Sequence, residues 1–209
     1  LLEGFTISDD GRWIGFDGTS SNRYERNITE QDINADLYLL ETATGRIERL
    51  TNNKEMSESS LSFSPDSRWI AFSSSDDMTR YNMKNRRVYL RRVDDRGGQW
   101  RKLGQGFDGD VGIDFWSADG RTIYFGEGIR ASNQILALDV ERGTVRQLTN
   151  ERASLNVSQD PETRRLILSY ADPKTPPTFY SISRIEDVAH RPAWKQLTDA
   201  NPQVRSFVL

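Results

Sequence analysis

Apolar residues in this chain come in short runs, several of them alternating with polar ones, and the runs are punctuated by Gly, Asp, Asn, Ser and Pro. Trp69-Ile70-Ala71-Phe72 is one such run, rich in the β-branched and aromatic residues that suit a pleated, half-buried surface. The punctuation supplies the residues that reverse a chain tightly between strands. No stretch long enough for a real helix keeps a 3.6-residue apolar period, and Ile185 to Ala189 suits a single turn at most. The pattern predicts strands joined by tight turns from end to end.

The runs also recur. Ile7-Ser8-Asp9-Asp10-Gly11-Arg12-Trp13-Ile14-Gly15-Phe16 aligns with Phe63 to Phe72 at a constant offset of 56, and a third copy, Trp116 to Phe125, lies 53 further on. A weaker fourth copy runs from Gln159 to Leu168. A second half-motif, Asp36 to Asn52, matches Gln134 to Asn150 with Leu40/Leu138, Gly45/Gly143, Leu50/Leu148, Thr51/Thr149 and Asn52/Asn150 identical. The units close on Leu50-Thr51, Leu103-Gly104, Leu148-Thr149 and Leu197-Thr198. A fixed motif order with drifting spacing means constant strands and variable loops.

Each unit reads as four strands, the first short and apolar (Phe5 to Ile7, Leu61 to Phe63, Ile113 to Trp116, Leu155 to Val157). A four-stranded sheet repeated at this period cannot bury both faces alone and stacks on its neighbours around an axis with its first strand innermost. The fold class is therefore all-β, a partial β-propeller of four blades with four antiparallel strands each. The blades cover about 1–52, 53–104, 105–150 and 151–200, and 201–209 reads as the start of a linker. Trp13 and Trp69 occupy equivalent slots and read as filling between blades.

Composition narrows the function classes. A net charge of −3 gives no nucleic-acid footprint, and no apolar run approaches the roughly 20 residues of a membrane helix. The absence of cysteine excludes disulfides and thiolate metal sites while fitting cytoplasm and periplasm equally. The opening Leu1-Leu2-Glu3-Gly4-Phe5, with no initiator Met or basic leader, reads as the middle of something longer.

Phe63-Ser64-Pro65-Asp66-Ser67-Arg68-Trp69-Ile70-Ala71-Phe72 resembles the Ser-Pro-Asp-Gly repeat of TolB-like propellers, which also builds the propeller of prolyl oligopeptidase family serine peptidases. Two features favour the peptidases. The connections Asp17 to Ala35 and Ser73 to Arg86 are long, where TolB-like blades usually have short ones, and Gln196 to Val204 looks like the exit to the hydrolase domain in acylaminoacyl and dipeptidyl peptidases. The resemblance implies a substrate-gating propeller whose catalytic domain would begin shortly after Leu209, acting on peptides through an acyl-enzyme. The chain departs from that family in supplying four blades rather than seven or eight, and it contains no G-x-S-x-G elbow. No catalytic residue is carried across. The alternative is a stand-alone TolB-like scaffold that binds a protein.

Candidate chemistry is sparse. Asp9, Asp10, Asp66 and Asp119 sit at separate hairpin tips and read as turn residues, and Asp108-Gly109-Asp110 with Asp114 lacks the spacing of a calcium loop. No metal or cofactor is expected. His190, beside Arg191-Pro192, reads as a surface residue. The long loops emerge on one face and each holds an Arg-Tyr pair. Arg23, Tyr24, Arg80 and Tyr81, with Arg86, are the candidate substrate-binding residues, because guanidinium clamps carboxylate or carbonyl and Tyr adds an apolar body with a polar tip. The expected partners are a peptide and the hydrolase domain of the parent chain. An open stack of four blades exposes its terminal flanks, so self-association is also expected.

Overall fold

The computed structural model describes residues 2–19, 35–52, 56–79, 83–199 and 202–206. Among the described residues sixteen strands form four separate four-stranded antiparallel sheets, each following chain order from its first strand to its fourth. Blade 1 comprises β1 (Leu2–Ile7), β2 (Trp13–Thr19), β3 (Ala35–Glu41) and β4 (Arg46–Arg49). Blade 2 comprises β5 (Ser59–Phe63), β6 (Trp69–Ser75), β7 (Arg86–Arg92) and β8 (Arg101–Leu103). Blade 3 comprises β9 (Phe115–Trp116), β10 (Thr122–Ile129), β11 (Ser132–Asp139) and β12 (Val145–Gln147). Blade 4 comprises β13 (Ser154–Gln159), β14 (Leu166–Asp172), β15 (Thr175–Ile182) and β16 (Lys195–Gln196). The second strands run on into what the sequence suggested was loop, β2 to Thr19 and β6 to Ser75. Single 3-10 turns occupy Ile185–Ala189, Arg191–Ala193 and Pro202–Ser206, and among the described residues no helix is long and apolar enough to cross a membrane.

The repeated residues explain the repeated geometry. In blade 2 the Ser64 hydroxyl donates to Asp66 at 2.6 Å and accepts the Trp69 amide at 3.0 Å, while Asp66 also accepts the Arg68 amide at 3.1 Å. Ser8, Asp10 and Trp13 repeat this in blade 1, as do Ser117, Asp119 and Thr122 in blade 3. The serine that opens each of these three turns is thus its hub. The left-handed position falls on Gly11 and Gly120 but on Ser67 in blade 2, at φ 57°. Ser67 offsets that strain in part by accepting the Asp10 amide across the gap to blade 1 at 3.1 Å.

The Leu-Thr ending of blades 1, 3 and 4 has an equally local cause. The Leu37, Ile135 and Phe179 amides within the third strands of these blades donate to the hydroxyls of Thr51, Thr149 and Thr198 at 2.9, 3.0 and 3.0 Å. The preceding leucine amide, from Leu50, Leu148 or Leu197, donates back to the carbonyl of the same third-strand residue. Together these bonds tie the outgoing fourth strand to the blade before the chain crosses to the next.

Three apolar clusters fill the gaps between consecutive blades. Trp13, Leu37 and Leu39 of blade 1 meet Phe63, Ile70, Phe72 and Tyr89 of blade 2. Ala71, Val88 and Leu90 meet Trp116, Ile123 and Phe125. Tyr124, Ile135 and Ala137 meet Leu155, Leu166, Leu168 and Tyr170. Trp13 is buried in the first gap and Trp69 lies against the second cluster. Gly15 is small for a reason: a Cβ there would sit 2.5 Å from Leu61 Cδ2 of the next blade.

Candidate functional site

Strand order places the β1–β2 and β3–β4 turns of each blade on one face, and the β2–β3 and blade-to-blade connections on the other. That second face is uneven. Its β2–β3 connections number fifteen residues in blade 1 (20–34) and ten in blade 2 (76–85), but only two in blade 3 (Arg130–Ala131) and two in blade 4 (Pro173–Lys174). Blades 1 and 2 carry the long connections; blades 3 and 4 leave the rim low.

The base of the blade 2 loop is firmly bolted. The Arg86 guanidinium donates to Ser59 Oγ at 2.7 Å, to Ser73 Oγ at 3.2 Å and to the Ser73 carbonyl, and its amide donates to Asp110 at 2.7 Å. Burial pulls its pKa below the usual value, with Asp110 and Glu58 opposing. Arg87, buried, donates to the carbonyls of Arg86, Gly109 and Phe107 at 2.7, 2.8 and 2.9 Å, which fastens blade 2 to the 104–112 segment of blade 3. Lys102 reaches Asp76 at 2.6 Å. Asp77 accepts from the Thr79 hydroxyl and amide, which hold its carboxyl down at about 2. Tyr89 donates to the Ser75 carbonyl at 2.6 Å, and burial pushes its phenol up to about 12. Arg86 therefore stands at the root of the loop with its guanidinium already engaged. Arg23, Tyr24, Arg80 and Tyr81 lie outside the described residues.

A cleft of about 620 Å³ opens on this face between blades 3 and 4, which the sequence reading missed. Arg130 and Arg152 line it, with buried Gln134 at its floor. Gln134 is fully committed: its amide nitrogen donates to the Glu151 and Ala153 carbonyls, and its oxygen accepts from the Thr149 hydroxyl and the Glu151 amide. Arg130 sits at φ 58°, a left-handed position normally given to Gly in a two-residue hairpin turn. The signal was present in sequence as an Arg where a tight turn favours Gly or Asn.

The acidic groups of the opposite face stay in their turns. Among the described residues no three His, Asp or Glu side chains gather to hold a metal ion. On the loop face itself, in the connection from blade 2 to blade 3, Asp110 accepts the Arg86 amide at 2.7 Å and Asp114 the Gly126 amide at 2.9 Å. His190 is exposed and caps a 3-10 turn through its backbone.

No family model matches the chain, and no curated protein matches it. Solved structures do. TolB from Acinetobacter baumannii aligns with a TM-score of 0.59 at 20 % identity over 87 % of this chain. A prolyl endopeptidase, from a study of inter-domain dynamics in catalysis and specificity, aligns at 0.61 with 13 % identity over 95 %. An oligogalacturonate lyase in complex with manganese aligns at 0.64 with 16 % identity over 87 %. The chain spans 41 %, 29 % and 50 % of those three chains. At such identities the likeness establishes the propeller fold and leaves activity open. The fold is a β-propeller, shared with both TolB-like and prolyl endopeptidase structures.

Proposed function

We propose that this chain is the substrate-gating propeller portion of a serine peptidase that hydrolyses peptides, with nucleophile and base on a hydrolase domain outside these 209 residues. The observation that carries the reading is the uneven rim: long connections on blades 1 and 2, two-residue turns and an open cleft on blades 3 and 4. A rim built this way admits an extended chain from one side and obstructs a folded one on the other. The likeness to a prolyl endopeptidase supports the same reading. Arg80 and Tyr81, with Arg23 and Tyr24, would meet the peptide, and Arg86 would hold the root of the loop that presents Arg80.

The test is on the parent polypeptide. A fluorophosphonate probe is expected to label the parent and to leave the isolated 209-residue chain unlabelled. In the parent, Arg80→Ala and Arg23→Ala are expected to raise KM for peptides while kcat holds, the signature of lost ground-state binding. A parent that takes no label and has no nucleophile elbow after Leu209 overturns the peptidase reading. That result favours a protein-binding scaffold, the function consistent with the equally similar TolB fold.

A further inference from the structure

Arginines on and beside the loop face fall into two groups. Arg86 and Arg87 are spent on the root of the blade 2 loop. Arg191 donates to Glu151 at 3.1 Å and to the Tyr170 hydroxyl at 2.6 Å, and lies over the Tyr170 ring at 4.4 Å. Arg130 and Arg152 are different. The first sits in the two-residue turn between β10 and β11, the second in the connection from blade 3 to blade 4. Among the described residues neither guanidinium has a hydrogen-bond or ion-pair partner, and both line the cleft of about 620 Å³ between those blades.

Arg130 is costly where it stands. Its φ of 58° is left-handed, a conformation in which Gly is free and other residues are strained. The chain offers two internal controls. Arg164 has the same φ of 58°, but its guanidinium donates to Gln159 at 3.1 Å and to Asp9 at 3.3 Å. Ser67, at 57°, accepts the Asp10 amide at 3.1 Å. Those side chains return a bond to the fold from a strained position, and Arg130 returns none. A strained residue whose charged end does nothing for the folded chain points to a ligand.

The carboxylates of the cleft leave both guanidiniums vacant because they are already engaged. Glu151 is paired with Arg191, and Asp172 accepts the Tyr170 hydroxyl at 2.6 Å and the Lys174 amide at 2.8 Å. Arg130, Arg152 and Arg191, with exposed Lys174 in the next turn, outnumber those two acids, so the cleft attracts an anion. A carboxylate suits it. Guanidinium forks pair with carboxylate directly, whereas phosphate sites commonly add a cradle of backbone amides at a helix N-terminus, and no helix opens onto this cleft among the described residues.

We infer that the cleft between blades 3 and 4 is a carboxylate subsite, in which Arg130 and Arg152 bind a carboxylate of an extended peptide, either an acidic side chain or the free C-terminus. Its volume falls within the range of about 300–1,000 Å³ typical of small-ligand sites. The two-residue turns on either side keep the rim low where the peptide crosses. Such a subsite sorts peptides by charge at the open side of the rim. That the ligand is a peptide rests on the peptidase reading; that it carries a carboxylate rests on the two arginines.

Equilibrium binding by the 209-residue chain, read by fluorescence anisotropy, is the test, because it needs no turnover. The probes are short labelled peptides: one with a central Glu and blocked ends, the same peptide with Gln, and the Gln peptide with a free C-terminal carboxylate. The Glu peptide or the free-ended one is expected to bind roughly tenfold more tightly than the blocked Gln peptide at low salt, and whichever does so identifies the source of the carboxylate. Arg130→Gly and Arg152→Ala are each expected to remove most of that preference. Arg142→Ala, which deletes the same charge from an exposed turn on the opposite face, is expected to keep it. Arg130→Gly also separates binding from folding: its urea midpoint is expected to equal or exceed that of the native chain, since Gly relieves the turn. Equal affinity for all the peptides overturns the inference. So does a preference retained in either cleft variant, one lost equally in Arg142→Ala, or displacement by inorganic phosphate at lower concentration than by acetate at matched ionic strength. A parent that takes no fluorophosphonate label removes the peptidase reading and leaves this measurement standing.

Discussion

Two kinds of hydroxyl hold much of this fold in register, the turn serine of blades 1, 2 and 3 and the closing threonine of blades 1, 3 and 4. Ser64 serves Asp66 and the Trp69 amide at once, and Thr149 serves the Ile135 amide and Gln134. Ser64→Ala and Thr149→Val each remove one hydroxyl and strand an amide, half-buried at Trp69 and buried at Ile135, at an expected cost of about 1–3 kcal/mol by urea unfolding. Thr198→Val, at an exposed copy of the same bond, is expected to cost well under half as much because water takes the freed Phe179 amide. Equal costs at 149 and 198 would remove burial as the cause. Tyr89 adds a pH signature. Its raised folded value means that its contribution is whole below the ordinary 10 and is lost as pH climbs through about 12. Phenolate absorbance should show Tyr89 ionising about two pH units late, and Tyr89→Phe should abolish that late step. The positions of these residues were legible in the sequence, because Ser8, Ser64 and Ser117 repeat at the same offsets as the aspartates. Their function was not, because a turn pattern does not say which side chain donates to which amide.

At the scale of elements, the hairpin turns act as a set. Asp10, Asp66, Asp119 and Asp160 all lie below the ordinary 3.8. At Asp10 and Asp66 desolvation pushes upward, and the bonds from Ser8, Ser64 and the Arg amides outweigh it. At Asp119 the Ser117 hydroxyl leads, and at Asp160 the Thr163 amide. A depressed folded pKa means stability that is complete above the unfolded value and drains as pH falls through the folded one. The free energy of unfolding should therefore fall with pH from about 4 downward, and Asp66→Asn should make that slope shallower without moving it elsewhere. An unchanged slope would show that Asp66 titrates alike folded and unfolded. Strand order and blade count were readable from the repeat, whereas the strand ends were not. Ser73, Ser74 and Ser75 look like loop in composition, yet all are buried in β6, with Ser73 and Ser74 bonded to the Val111 and Ser57 carbonyls. The fourth copy is weak in sequence for a comparable reason: Asp160 stands in the serine position and caps the Thr163 amide directly.

For the whole molecule the consequence of an unclosed array is uneven stability. Each apolar cluster joins only consecutive blades, so blades 2 and 3 are packed on both faces while blade 1 is packed on one. Blade 4 is partly compensated, because the 3-10 turn at Ile185–Ala189 buries Ile185 and Val188 in the third cluster and Trp194 leans on Tyr170 and Tyr180. Which face of each strand packs on the next blade depends on register, so the membership of the three clusters became visible only with the sheets assembled. The array then behaves as a chain of coupled units, and the first blade is held through the first gap. Phe72 closes that gap with Tyr89 at 5.2 Å and Trp100 at 4.7 Å. Phe72→Ala should cost about 3–5 kcal/mol at that interface. Measured by hydrogen exchange at a concentration where the chain is monomeric, the loss of protection should concentrate in β1 to β4, while β10, β11 and β14 keep theirs. Uniform loss across all four sheets would mean that the blades unfold as one cooperative body, and the nearest-neighbour account of this stack would fail with it.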